Sequence, residues 1–240
     1  MIDQTPRAVA RRSFLARLSA AVAAVGAVGA TRSASAVAPA QTSATPASGW
    51  QPARHAEDDW FEVPTAKHRM FFDTVSADAL GQALFFARNV FAANASGYGL
   101  KDGDLALVIC VRHESTSFAF DDAMWAKYGA ALSTRAGGFV DPKSKAVPTT
   151  NVYLNGTYGD ALKNGGVTAT ALTTRGLRFA VCGMATRAAA QLIAKQTGGN
   201  VDAVYTELTQ HLIPGGHMVP AGIVAVNRAQ ERGYSFSYVA

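Results

Sequence analysis

Seven apolar residues in a row, Leu105–Val111 (LALVICV), set the strongest limit on what this chain can fold into. The run has the length of a strand and no polar alternation that would turn one face to water. A strand of this kind is covered on both faces, as in the interior of a parallel sheet. Further strand candidates stand at 68–74 (HRMFFDT), 177–182 (LRFAVC), 217–219 and 234–239 (YSFSYV). Helical patterns separate them. Ser76 is placed to cap a helix over 77–95 whose Leu80, Leu84, Phe85 and Val90 form an apolar face. Others are read at 118–132, 166–174, 185–196, 201–212 and 222–232, with Gly176 and the Pro214-Gly215-Gly216 turn as stops. Strands alternating with helices predict an open parallel α/β sheet with helices on both faces. Residues 133–158 carry Gly, Pro, Lys and Thr without a period, and so long a connection is expected to be functional, for instance a lid, or mobile.

The amino terminus reads as an address. Arg7, Arg11, Arg12 and Arg17 form a positive region, 18–30 is mildly apolar, and Ala34 and Ala36 match a small-residue cleavage site. Arg11-Arg12-Ser13-Phe14-Leu15 predicts a twin-arginine export signal over 1–36, a route that carries proteins already folded to an extracytoplasmic compartment. The apolar stretch is interrupted by Arg17 and rich in Ala and Gly, so no stable membrane anchor is expected after cleavage. Charge follows the same cut. The chain is +5, but the first 36 residues hold five arginines against one aspartate, which leaves +1 and no basic stripe for nucleic acid. Residues 37–65 are expected to be a disordered or extended linker, the stretch up to Gly49 being mostly Ala, Ser, Thr and Pro. One domain over 66–240 remains, with enough chain for a well-buried core.

Candidate chemistry gathers where strands end. Cys182 closes a buried strand and is followed by Gly183 and a helix, so it faces the crevice in which open α/β sheets bind ligands. Helix-terminal amides favour a thiolate at such a place, and Arg187 adds positive potential; the competing reading is a small apolar packing group. Cys110, inside the apolar run, reads as core filler, and a Cys110–Cys182 disulfide requires Cβ atoms that face each other. After the same strand, Arg112 is placed to hold an anion, His113 to move a proton or bind a metal, and Glu114 to orient the imidazole. The plainer reading is a polar loop in which Ser115 or Ser117 caps the next helix. Asp121 and Asp122, with Trp125 and Tyr128, read as faces of that helix, and Phe118, Phe120 and Trp125 suit either a core or a self-association surface. His211 and His217 flank a glycine turn and could only form a metal site by meeting Cys182 or His113. Cys-x-x-Cys, His-Glu-x-x-His, P-loop and Gly-x-Ser-x-Gly patterns are lacking, so no cofactor and no standard zinc, nucleotide or hydrolase site is expected.

Three segments in order carry a family resemblance: Thr174-Arg-Gly-Leu-Arg-Phe-Ala-Val-Cys-Gly-Met-Ala, Leu212-Ile-Pro-Gly-Gly-His-Met-Val-Pro-Ala-Gly-Ile and Ala229-Gln-Glu-Arg-Gly-Tyr-Ser-Phe. Together they resemble the carboxyl-terminal half of the DsrE-like family, and the likeness extends over roughly 68–239. The resemblance implies a flavodoxin-like three-layer α/β/α sandwich with a mostly parallel sheet of five strands, often in a homo-oligomer. In the sulfur-relay members it implies a cysteine that carries persulfide sulfur, and Cys182 stands where those members place it. An export signal and the long 133–158 loop depart from the family pattern. The expected function is therefore an exported sulfur carrier or handler of a thiol-reactive small molecule, with Cys182 as nucleophile and Arg112 and His113 as its polar wall. A non-catalytic metal- or small-ligand-binding module and a structural oligomer with a vestigial pocket are the alternatives.

Overall fold

β2 (Leu105–Val111) is buried at every residue and forms the middle strand of a five-stranded sheet. The structure, a computed structural model, describes Gly49 and residues 51–240. The expected signal over 1–36 and the first part of the linker lie outside the described residues. The sheet order is β4-β3-β2-β1-β5, with β1 (His68–Thr74), β3 (Arg178–Cys182), β4 (Gly216–Val219) and β5 (Ser235–Val239), and every pairing is parallel. The fold is the α/β sandwich expected from strand–helix alternation.

Side-chain alternation along the strands divides the core in two. Phe72, Leu107, Ile109, Val111, Phe179 and Val181 face one side, where they meet α1 (Ala77–Tyr98), α2 (Asp122–Arg135), α3 (Ala169–Thr173), α4 (Gly183–Thr197) and α5 (Val201–Gln210). Phe71, Val108, Cys110, Ala180 and Val219 face the other side, where the one α-helix among the described residues is α6 (Gly222–Glu231). β1 to β4 are thus laid side by side through helices on the first face. α6 then carries the chain back beneath the sheet to β5, beside β1. Helices leave the neighbouring strands β3 and β4 toward opposite faces, so the switch point where such sheets open a crevice lies between their carboxyl ends.

The packed domain begins before residue 66. Ala56–Phe61 is a 3-10 helix, and Phe61 is fully buried on the α6 side against Phe71 and Tyr234. Tyr234 donates to the Phe61 carbonyl at 2.6 Å, Trp60 stacks on His217 at 4.5 Å, and Arg69 pairs with Glu62 at 3.0 Å. The linker expectation over 37–65 is therefore corrected at its carboxyl-terminal end: the aromatic pair Trp60-Phe61 binds this segment to a face that α6 alone leaves partly open.

α2 takes in the first three residues of the 133–158 stretch; 136–158 has no regular element, yet it is packed. Asn151 donates from its amide group to the carbonyls of Phe118 and Phe120 at 2.8 and 2.7 Å, and Val152, Tyr153 and Leu154 are buried. Phe118, Phe120 and Trp125 are fully buried, with Tyr153 edge-on to Phe118 at 5.0 Å, which places them in the core and removes them from any self-association surface. No helix among the described residues is long and apolar enough to cross a membrane.

Candidate functional site

Cys182 ends β3 and is the N-cap of α4, its Sγ accepting from the Ala185 amide at 3.4 Å. Thr186 Oγ1 donates to the Cys182 carbonyl at 3.0 Å and fixes the first turn of the helix. Gly183 is needed at the junction, because a Cβ there would stand 2.9 Å from the Val219 carbonyl oxygen. The start of α4 is thereby drawn tight against the end of β4. Cys182 is only 7 % exposed, but it lines a cavity of about 300 Å³ with Arg112, His113, Arg135 and the first residues of α4 and α6.

α6 reaches this cavity without a side-chain cap. Its N-cap is Ala221, and the amides of Gly222 and Ile223, which also line the cavity, precede the first intrahelical hydrogen bonds. Gly222 is required by close approach: a Cβ there would lie 2.7 Å from Arg112 Cβ and 3.0 Å from Cys110 Sγ. Two helix amino termini of opposite faces thus meet at the thiol, as the switch-point topology dictates.

The turn after β2 delivers the polar wall. Ser115 Oγ accepts from the Arg112 amide at 3.0 Å and from Thr74 Oγ1 at 3.1 Å, and the Glu114 amide donates to the Val75 carbonyl at 3.1 Å. Held this way, His113 adopts φ 55°, the left-handed region, and its exposed ring faces both the Cys182 cavity and a neighbouring hollow of about 420 Å³ beside Ser76, Glu114 and Arg135. Cys182, Arg112 and His113, expected to share a site, do line one cavity. Their expected roles change in part. Arg112 donates through Nε and Nη2 to the two oxygens of buried Asp73 at 2.7 and 2.8 Å, so its fork is committed to β1 and is not free to clasp an anion. No hydrogen bond joins Glu114 to His113; the Glu114 carboxylate packs over Gly137 instead. α2 is capped by Asp121, which accepts from the Met124 amide at 3.1 Å, rather than by Ser115 or Ser117.

Arg187 also departs from its expected place. It pairs with Asp202, lies over the Tyr205 ring at 4.2 Å, and lines a separate hollow along β4. The free positive charge at Cys182 is Arg135, which has no carboxylate partner among the described residues. Sequence reading did not single it out, since it ends a helix far from the cysteine and carries no motif. Arg135 is also where the long connection begins, and it is the one residue of 133–158 that lines the Cys182 cavity.

Cys110 lies on the α6 face with its thiol 3.7 Å from the Gly222 carbonyl. Burial, then the nearby Asp73 and Cys182 charges, push this thiol well above the usual cysteine range, so it stays protonated. Cys110 is in register with Ala180, which places Cys182 two residues further along the same face, on a diagonal, and both cysteines are free. His211 Nδ1 is 2.9 Å from Asp121 and His217 stacks on Trp60, so neither meets Cys182 or His113. Among the described residues no cluster of three His, Cys, Asp or Glu side chains has the arrangement of a metal site. Compared with family models, with curated proteins and with solved structures, the chain matches none.

Proposed function

We propose that this protein is an exported DsrE-like domain that handles sulfur, with Cys182 as the sulfur-bearing nucleophile. The observation that carries the reading is the position of the Cys182 thiol: at the switch point of a parallel sheet, hydrogen-bonded by a helix-terminal amide and lining a cavity of small-molecule size. The step needs only a thiolate and a donor. The Cys182 thiolate attacks the terminal sulfur of a persulfide donor, the Sγ–S bond forms, the donor S–S bond breaks, and the electron pair leaves on the donor thiolate. Sulfur arrives as Cys182–S–SH without any net oxidant. His113, on the cavity rim, is placed to exchange the proton.

In this reading the twin-arginine signal takes the domain out already folded, with the crevice assembled, and the resemblance adds a homo-oligomer, read directly by sedimentation of the purified protein. The decisive measurement is intact-protein mass before and after exposure to a sulfane-sulfur donor. Wild type is expected to gain sulfur mass that a reductant removes, and Cys182→Ala to gain none. A wild-type protein without added sulfur, or an equal gain in Cys182→Ala, overturns the proposal.

A further inference from the structure

We propose that the Cys182 crevice selects small organic monoanions, taking the anionic group at Arg135 and the start of α6 while the reactive atom meets Cys182. This deepens the sulfur-handling reading by naming its substrate class, and it rests on Cys182 being the reactive group of the cavity.

Three observations carry the inference together. The first is charge balance: of the two arginines lining the cavity, Arg112 is neutralised by Asp73, whereas Arg135 has no carboxylate within salt-bridge distance among the described residues. No Asp or Glu lines the cavity itself, and Glu114, which shares the neighbouring hollow with Arg135, lies beyond salt-bridge distance of it, so Arg135 is the arginine of the lining without an ion pair. The second is the supply of donors, because α6 has ten residues and no side-chain cap, and its first residues, Gly222 and Ile223, line the cavity and have amides that precede the intrahelical hydrogen bonds. The third is the remainder of the lining, which is apolar: Met184, Ala185, Ala188, Ala221 and Ile223. An inorganic dianion would have to be desolvated against those side chains, while an organic molecule with a short apolar body and one carboxylate matches both the single charge and the wall. A cavity of about 300 Å³ is at the small end of ligand sites, so the body is only a few carbons long. In sulfur transfer the candidate class is the persulfide of a small mercaptocarboxylic acid: its carboxylate rests near Arg135, and its leaving thiolate departs into the same positive potential.

Charge selection can be read without any sulfur donor. Iodoacetate and iodoacetamide alkylate a thiolate by the same displacement, Sγ–C forming as C–I breaks and iodide leaves, and they differ in one negative charge. The rates at Cys182 are followed by peptide mass in the native protein, with the same cysteine in urea as reference. The expected result is an iodoacetate-to-iodoacetamide rate ratio about tenfold higher in the native protein than in urea, falling toward the urea value as salt screens the site. Arg135→Gln should lose about tenfold in the iodoacetate rate alone, and Arg135→Lys should keep most of it. Arg135 has no ion pair to lose, so both variants are expected to fold, and the salt dependence of wild type provides a second reading that needs no variant. A native ratio equal to that in urea, or one unmoved by salt and by Arg135→Gln, overturns the inference. The two proposals fail separately. Charge selection without sulfur uptake retains the anion site and ends the sulfur reading, while equal sulfur uptake from neutral and anionic donors does the reverse.

Discussion

Asp73 is nearly inaccessible to solvent on β1, and its two carboxylate oxygens are held by the Arg112 fork at 2.7 and 2.8 Å. A buried pair of this kind contributes little against an apolar replacement, but breaking it strands the remaining charge, at a cost of about 3–5 kcal/mol. Asp73→Asn is therefore expected to lower unfolding free energy by about that amount in urea titration, and to loosen the turn that presents His113. Joint replacement, Asp73→Leu with Arg112→Met, should recover most of the loss, which a purely local packing defect would not. Cys110 gives a second expectation at this scale. Because burial and Asp73 keep its thiol protonated, native protein should be alkylated at Cys182 while Cys110 is labelled only on unfolding, as peptide mapping of partially labelled protein will show. How much of this was legible in the sequence differs by residue. Cys182 was, because a buried run, a glycine and a helix define a strand end. The Asp73–Arg112 pair was not, since the partners lie 39 residues apart, one on β1 and the other just past the end of β2, and only the β1–β2 register brings them together.

The elements were read from their periods, and helices and strands came out close to where hydrophobic pattern and caps put them. Connections behave otherwise, because what fixes them has no period. The 133–158 stretch carries Gly, Pro, Lys and Thr without a period, yet Asn151 donates from its side chain to the Phe118 and Phe120 carbonyls and from its backbone N–H to the Asp122 carboxylate at 2.8 Å. Gly129 admits the loop to α2, since a Cβ there would lie 2.6 Å from the Pro148 carbonyl oxygen. Asn151→Ala would leave the Phe118 and Phe120 carbonyls buried without a donor. A loss of about 2–3 kcal/mol is expected, with faster amide exchange in the loop and in the first turn of α2. The Cys182 alkylation rate should be unchanged, because no residue from 136–158 lines the cavity. An altered rate would show that the loop acts on the site after all.

At the scale of the whole molecule the two faces of the sheet are covered unequally, five helices against α6 and the segment around Ala56–Phe61. That imbalance has a chemical consequence as well as a mechanical one. The asymmetric burial puts His217 between Trp60 and the sheet, and burial, followed by the nearby Arg178 cation, lowers its pKa from the ordinary value of 6.5. The folded protein therefore keeps this ring neutral where the unfolded chain protonates it. Stability is unaffected by His217 above pH 6.5 and falls as the pH drops below that value, until the folded ring also takes a proton. His217→Phe keeps an aromatic partner for Trp60 and should flatten this part of the pH dependence, measured as urea midpoints between about pH 8 and about pH 5. Removing the segment entirely is the stronger intervention. A chain beginning at Ala66 lacks Trp60 and Phe61, uncovers Phe71, and leaves the Tyr234 hydroxyl without the Phe61 carbonyl. Loss of the buried Phe61 ring alone is worth about 3–5 kcal/mol, so this chain should unfold at much lower urea than one beginning at Gln51 and expose apolar surface to a fluorescent dye. Equal midpoints for the two chains would return 51–65 to the status of a linker and set the boundary of the folding unit at 66. A large difference sets it ahead of Trp60, where two aromatic residues close the face that α6 cannot cover alone.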